Sequence, residues 1–204
     1  MFGLRSRLKP IQTHSVETIN NEVKGNLINE SSAIENSEAE ADYKRLFELM
    51  YVAEDQQWRE YNGPYFPFEE ETYETFYESK KKAFAEGRLK LIDVNGAIIG
   101  TVNYYWEYQP TRWLEAGIVI YDSTFWNVGY GTEAFKQWIT ELFANDPEIA
   151  RVGFTTWSGN PGMMKIGEKL GMMLEARLRK VRYHRGTYYD QIRYGVLREE
   201  WKRR

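Results

Sequence analysis

The chain has 204 residues, 42% of them hydrophobic and 28% charged, an ordinary globular composition that excludes collagenous, fibrous and wholly disordered proteins. Its 27 basic and 30 acidic residues leave a formal charge of −3, so no chain-wide basic field draws nucleic acid or acidic lipid. With no Cys and only His14 and His184, disulfides, thiol nucleophiles and the usual Cys/His metal sites are excluded as well.

The first 36 residues are polar and show no sustained period, which predicts an extension carrying at most one irregular strand. They lack the apolar segment of a secretory signal, and no run approaches the length of a membrane span, so a cytoplasmic protein is expected. From Ser37 the pattern sharpens. Ser37 and Glu40 have capping-box spacing, and Tyr43, Leu46, Phe47 and Met50 share one helical face, predicting a first helix over about 38–53.

Trp58 to Glu71 holds two prolines, a glycine and several rings, so it reads as an ordered aromatic loop. Trp58, Tyr61, Tyr65 and Phe66 could form a lid over a cationic acceptor, aided by Glu69, Glu70 and Glu71. Equally, the rings could be core and the Glu run a helix N-terminal complement. A second helix follows through Tyr73, Phe76, Tyr77 and Phe84, stopped at Gly87.

The pair Asn95-Gly96 between LKLIDV and AIIGTVNYYW predicts a tight hairpin. The apolar run Trp113 to Tyr121 predicts a central strand. A turn over Trp126 to Gly131 leads into a helix whose apolar face is Ala134, Phe135, Trp138, Ile139, Leu142 and Phe143. Arg151 to Trp157 reads as a strand, Asn160-Pro161 as the start of a short helix ending at Leu170, and Leu174 to His184 with Thr187 to Leu197 as a second hairpin. The order indicates one α+β domain over 37–204, with a mixed, mostly antiparallel sheet flanked by about four helices.

DSTFWNVGYGTEAF puts a glycine-bearing turn between a buried strand and a helix, an arrangement that suits phosphate binding by main-chain N–H groups. It has neither the GK[ST] of a Walker loop nor the third Gly of a dinucleotide fingerprint. An ordinary tight turn is the competing reading.

WNVGYGTEA, Asn160, EKLGM and RGTYYDQIRYGVLREEW together resemble the GNAT superfamily of acyl-CoA-dependent N-acetyltransferases, over about four-fifths of the chain. The nearest branch is that named for ribosomal-protein alanine N-acetyltransferases. The resemblance implies a sheet splayed at the cofactor site and transfer of an acetyl group from acetyl-CoA directly to a primary amine, either a protein N-terminus or a small molecule. It implies that the turn at Trp126, Asn127, Val128, Gly129, Tyr130, Gly131 and Thr132 takes the pyrophosphate. Main-chain groups of Ile118, Val119 and Ile120 would then lie along the pantetheine arm, with Asn160 beside it. No metal is implied.

Many relatives carry a Ser three residues after the Asn, where this chain has Met163, so Tyr188, Tyr189 or a water is left to protonate the departing thiolate. Glu115 is the first candidate for the base that deprotonates the amine. A surface ion pair, for instance to Arg112, is its alternative role. A non-catalytic acyl-CoA-binding module is the competing function. The basic run Arg177 to Arg185 raises an RNA contact as a third, although the acidic balance elsewhere argues against nucleic acid. Met163, Met164, Met172 and Met173 read as core or acyl-pocket filling. Exposed rings could serve a homodimer contact as readily as a substrate.

Overall fold

A computed structural model describes residues 7–10 and 39–203. Ser37, His14 and most of the expected extension fall outside them. Among the described residues, seven strands form one open sheet in the order β1-β2-β3-β4-β5-β7-β6. They are β1 (Arg7–Lys9), β2 (Leu89–Val94), β3 (Ala97–Tyr108), β4 (Trp113–Ile120), β5 (Arg151–Trp157), β6 (Met173–His184) and β7 (Thr187–Leu197). Only β4 and β5 pair in parallel; every other neighbouring pair is antiparallel. The apolar run of β4 occupies the middle of the sheet, as its lack of alternation predicts.

Both hairpins close on positive-φ pairs, Asn95 (54°) with Gly96 (86°) and Arg185 (47°) with Gly186 (79°), the backbone that a two-residue turn needs to match strand twist. Helix α1 (39–47) passes into a π-turn at Glu48–Val52, with Ala53 N donating to Glu48 O at 2.8 Å. The wider turn rotates the helical face. Leu49 therefore becomes buried beside Tyr43 and Leu46, while Phe47 and Met50, expected on the same face, pack at the margin. Helix α2 (Tyr73–Ala85) starts at a Thr72 cap and ends before Gly87, whose φ is 66°.

On one sheet face lie α3 (Tyr130–Asn145) and α4 (Pro161–Lys169). The six residues of the expected α3 stripe are all buried there, against Val102, Leu114, Val152, Phe154 and Ile192. Trp138 is buried whole because its indole N–H reaches Asn103 O at 2.8 Å, which removes the cost of an unpaired donor. On the other face α1 and α2 cover β2 and the adjoining parts of β3 and β4, through Leu46, Phe76, Leu91, Ile98 and Tyr121. A short final helix, α5 (Arg198–Trp201), follows β7. None of the helices among the described residues is long and apolar enough to cross a membrane.

Candidate functional site

The site begins where β4 stops. Asp122 caps a short 3₁₀ turn over Ser123–Phe125 by accepting from Thr124 N at 3.0 Å. The chain then reverses through two left-handed residues, Asn127 (φ 61°) and Gly129 (φ 102°). Glycine suits the second because a Cβ is strained at that φ, and Asn is among the side chains that tolerate the first. Gly129 is the N-cap of α3 and its carbonyl accepts from Glu133 N at 3.1 Å. By contrast, among the described residues none of the main-chain N–H groups from Asn127 to Thr132 donates to a protein acceptor. They form a patch of unused donors on the positive end of a 16-residue helix. A Cβ on Gly131 would come within 3.3 Å of Ile166 and 3.4 Å of Ile120, so a hydrogen there lets α3 start close against both β4 and α4.

Beside this turn the sheet opens. β4 and β5 stay in register only at Leu114↔Val152 and Glu115↔Gly153, although β4 continues to Ile120 and β5 to Trp157. Tyr121 N donates to Ile99 O across the β3 edge, and Val119 O also lies on that edge, against Gly100. Strand alternation therefore turns the main-chain groups of Ile118 and Ile120 toward the gap left by β5. Ile120 O is taken by the Trp126 indole at 3.0 Å.

A cavity of about 420 Å³ occupies the gap. Ile118, Val119 and Ile120 form one wall, and the turn residues Trp126, Asn127, Gly129, Gly131 and Thr132 form the floor. Trp58 and Tyr61 close it from the aromatic loop, and Asn160, Met163, Lys165 and Lys169 come from the α4 side. Lys165 and Lys169 were not anticipated. Their i,i+4 spacing puts both ammonium groups on one helix face, and among the described residues neither has a carboxylate partner. The cavity thus combines unused N–H donors, two unpaired cations and apolar walls, which suits an anionic ligand with an extended apolar arm. The Trp58 indole N–H, buried with no acceptor among the described residues, is one further unpaired donor on a cavity-lining residue.

Other expected residues land elsewhere. Val128 is exposed and the Tyr130 ring packs on Phe125 at 5.8 Å, so at these two positions only the backbone faces the question of a ligand. Asn160 lines the cavity but is occupied structurally: its Oδ1 accepts from Met163 N at 3.0 Å and its Nδ2 donates to Tyr61 O at 3.1 Å. Trp157 Nε1 donates to the same carbonyl at 2.8 Å, so two side chains pin the aromatic loop over the site. Tyr65 packs on Trp157 at 5.6 Å and beneath the Arg182 guanidinium at 5.1 Å. Phe66 is exposed. Neither lines the cavity. Nor do Tyr188, which is exposed against Tyr183, and Tyr189, whose ring stands edge-on to Trp157 at 4.7 Å. Tyr61 and Thr132 are the cavity-lining residues with hydroxyl groups.

Glu115 is fully buried on the far side of the strand divergence, outside the cavity lining. Its Oε1 accepts from Arg151 Nη1 and Trp113 Nε1, each at 3.0 Å, and its Oε2 from Thr155 Oγ1 at 3.2 Å. Arg112, the expected partner, pairs instead with Glu148 at 2.7 Å. In the basic run, Arg177 pairs with Asp190 and Arg185 with Glu60, consistent with a largely exposed strand whose charges are in part internally matched.

The SPbeta prophage-derived uncharacterized N-acetyltransferase YokL of Bacillus subtilis is 42% identical over 31% of this chain and 36% of its own length. The putative ribosomal N-acetyltransferase YdaF of the same organism is 28% identical over 53% and 58%. The chain therefore spans less than two thirds of either relative. The spermidine N-acetyltransferase of Vibrio cholerae, solved with CoA and spermine, superposes with a TM-score of 0.63 at 16% identity, covering 79% of this chain and 93% of that one; it shares the fold. A family model described as an acetyltransferase (GNAT) domain matches residues 37–173, more than half of the chain, and so the chain belongs to the GNAT acetyltransferase family.

Proposed function

We propose that this chain transfers the acetyl group of acetyl-CoA directly to a primary amine, on a protein N-terminus or a small molecule, with both substrates bound together. The observation that carries the reading is the row of unused N–H groups from Asn127 to Thr132 at the mouth of the strand gap. A pyrophosphate needs several convergent donors, and this turn has them without a side chain in the way. Lys165 and Lys169 add charge for the nucleotide phosphates. Main-chain groups of Ile118 and Ile120 on the gap edge supply the remaining polar contacts along the arm.

When bound, acetyl-CoA supplies an activated acyl group, a thioester. This chain's part is to hold it still, polarise its carbonyl with a main-chain N–H of β4, and place an uncharged amine against it. An amine is not a nucleophile while protonated, so it gives up one proton to water on entry and, once bonded to the acyl carbon, a second as the C–S bond breaks. Glu115 has three donors on its carboxylate and lies outside the cavity lining, so the base role expected of it gives way to a positioning role. For the departing thiolate, Tyr61 is the phenol on the cavity wall. It replaces Tyr188 and Tyr189 as the preferred donor because neither lines the cavity.

The test is a panel of amines, including N-terminal peptides and polyamines, assayed for free CoA released from acetyl-CoA. Amine-dependent release supports transfer, and its pattern identifies the acceptor. Tight acetyl-CoA binding with no release across the panel would favour a non-catalytic acyl-CoA-binding module. The specific observation behind that second reading is Met163, which places a thioether in the cavity lining where many relatives have a hydroxyl.

A further inference from the structure

The point at which β4 and β5 part is marked by a charge chain that runs from the fully buried Glu115 through half-buried Arg151 to Glu175 at the surface. Glu115, Gly153 and Gly195 stand side by side on β4, β5 and β7, in register. The two glycines leave a trough in the sheet face. A Cβ on Gly153 would sit 2.1 Å from Arg151 Nη2, and one on Gly195 would sit 2.2 Å from Glu175 Oε1. Arg151 lies along this trough, donating Nη1 to Glu115 at 3.0 Å and Nε to both Glu175 oxygens at 3.0 Å.

Glu115 in turn touches β5 on both sides of Gly153. Arg151 lies two residues before it, and Thr155, which donates to Oε2, two residues after it. Gly153 is the last residue of β5 paired with β4. The carboxylate therefore spans the boundary between the paired and the unpaired part of β5. It also extends the strand contact without narrowing the gap above, because its bonds run through side chains rather than through the strand ladder.

We infer that Glu115, Arg151 and Glu175 form a clamp that fixes where β4 and β5 separate, and that Glu115 is a positioning residue for the acyl-donor cleft. The inference rests on the acetyl-transfer reading for what fills the cleft, but not for the clamp itself. With the clamp intact, Ile118 and Ile120 keep their main-chain groups at a set distance from the N–H row of the glycine turn. With it broken, the last β4–β5 rung frays and the cleft loses its fixed width. Glycine at 153 and 195 follows from the same geometry, since a methyl group at either would occupy the space of a charged side chain.

Hydrogen exchange on the full chain tests this directly, in Glu115→Gln, Arg151→Met and the milder Gly153→Ala. The clamp predicts at least tenfold faster amide exchange at Ala116 and Gly153, whose N–H groups face across the β4–β5 pair, in each variant, with β2–β3 amides unchanged. Acetyl-CoA binding should weaken about tenfold in the single variants and no further in the Glu115→Gln/Arg151→Met double variant, as expected for partners in one network. Unchanged local exchange would overturn the clamp. So would a lower Tm accompanied by wild-type acetyl-CoA affinity, which would make the chain a plain structural ion pair. A collapse of turnover in Glu115→Gln at wild-type affinity and wild-type exchange would return Glu115 to a chemical role. Failure of the wild-type protein to bind acetyl-CoA would instead overturn the acetyl-transfer reading, and the exchange data would still decide the clamp.

Discussion

Tyr61 concentrates several roles in one residue. Its carbonyl receives the Trp157 indole and the Asn160 amide, its ring stands edge-on to Trp126 at 5.6 Å, and it lines the cavity. The backbone is thus fixed by two donors from β5 and the start of α4, while the side chain, 40% exposed, is less confined. Tyr61→Phe keeps the ring and every main-chain bond and removes only the phenol. Turnover is expected to fall about 10²-fold if the hydroxyl protonates the leaving thiolate, with KM for acetyl-CoA nearly unchanged. Steady-state kinetics reads both, and wild-type turnover would remove Tyr61 from proton transfer.

At the level of elements, the site depends on how α3 is held at its two ends. The N–H groups at its N-terminus have no protein acceptor among the described residues, but its C-terminus is closed by a side chain from α5. Arg198 donates to Phe143 O at 2.7 Å and Asp146 O at 2.5 Å, and also to Ile149 O at 2.7 Å. These include carbonyls that the helix end cannot satisfy itself. Arg198→Ala is expected to destabilise the fold by about 2 kcal/mol, mostly by leaving those acceptors unpaired. Chemical denaturation measures that loss, and a change within 0.5 kcal/mol, the scale of ordinary surface substitutions, would show the cap to be redundant.

A second link ties the segment leading into the aromatic loop to the turn after β4. Asp55 accepts from Ser123 N at 2.7 Å and from Gln57 N at 3.2 Å, and the Ser123 amide holds its carboxyl below the usual value of 3.8. A depressed carboxyl pKa stabilises the folded state above the unfolded value, and that contribution is lost as pH falls through the folded one. Thermal melts should therefore show Asp55→Asn less stable than wild type at neutral pH, with the difference shrinking below about pH 4, the ordinary carboxylate range. A difference independent of pH would assign the effect to shape rather than charge.

Over the whole molecule, what could be read in the sequence was what depends on near neighbours. Asn95-Gly96 announces its hairpin, the α3 stripe announces its buried face, and the glycine turn announces a helix start with free donors. The cavity needed more distant partners. It closes because Asn160 reaches Tyr61, 99 positions away, and α4 presents Lys165 and Lys169 to the cavity because its opposite face packs on the sheet. Glu115 shows the same limit. Its place on an apolar strand suggested a reactive carboxylate, whereas its partner Arg151 lies 36 residues away on a strand whose register no local pattern encodes. The π-turn in α1 likewise shifted a helical face that even spacing had drawn one residue off.

Acetyl-CoA binding by this chain turns on whether the amides of Asn127 to Thr132 grip a diphosphate. Titrating ¹⁵N-labelled protein with acetyl-CoA and following amide resonances tests this residue by residue. The largest saturable shifts are predicted at Asn127 to Thr132, followed by Ile118, Ile120 and the α4 residues beside Lys165. Binding that left the Asn127 to Thr132 amides unmoved, or no binding at saturating concentration, would contradict it.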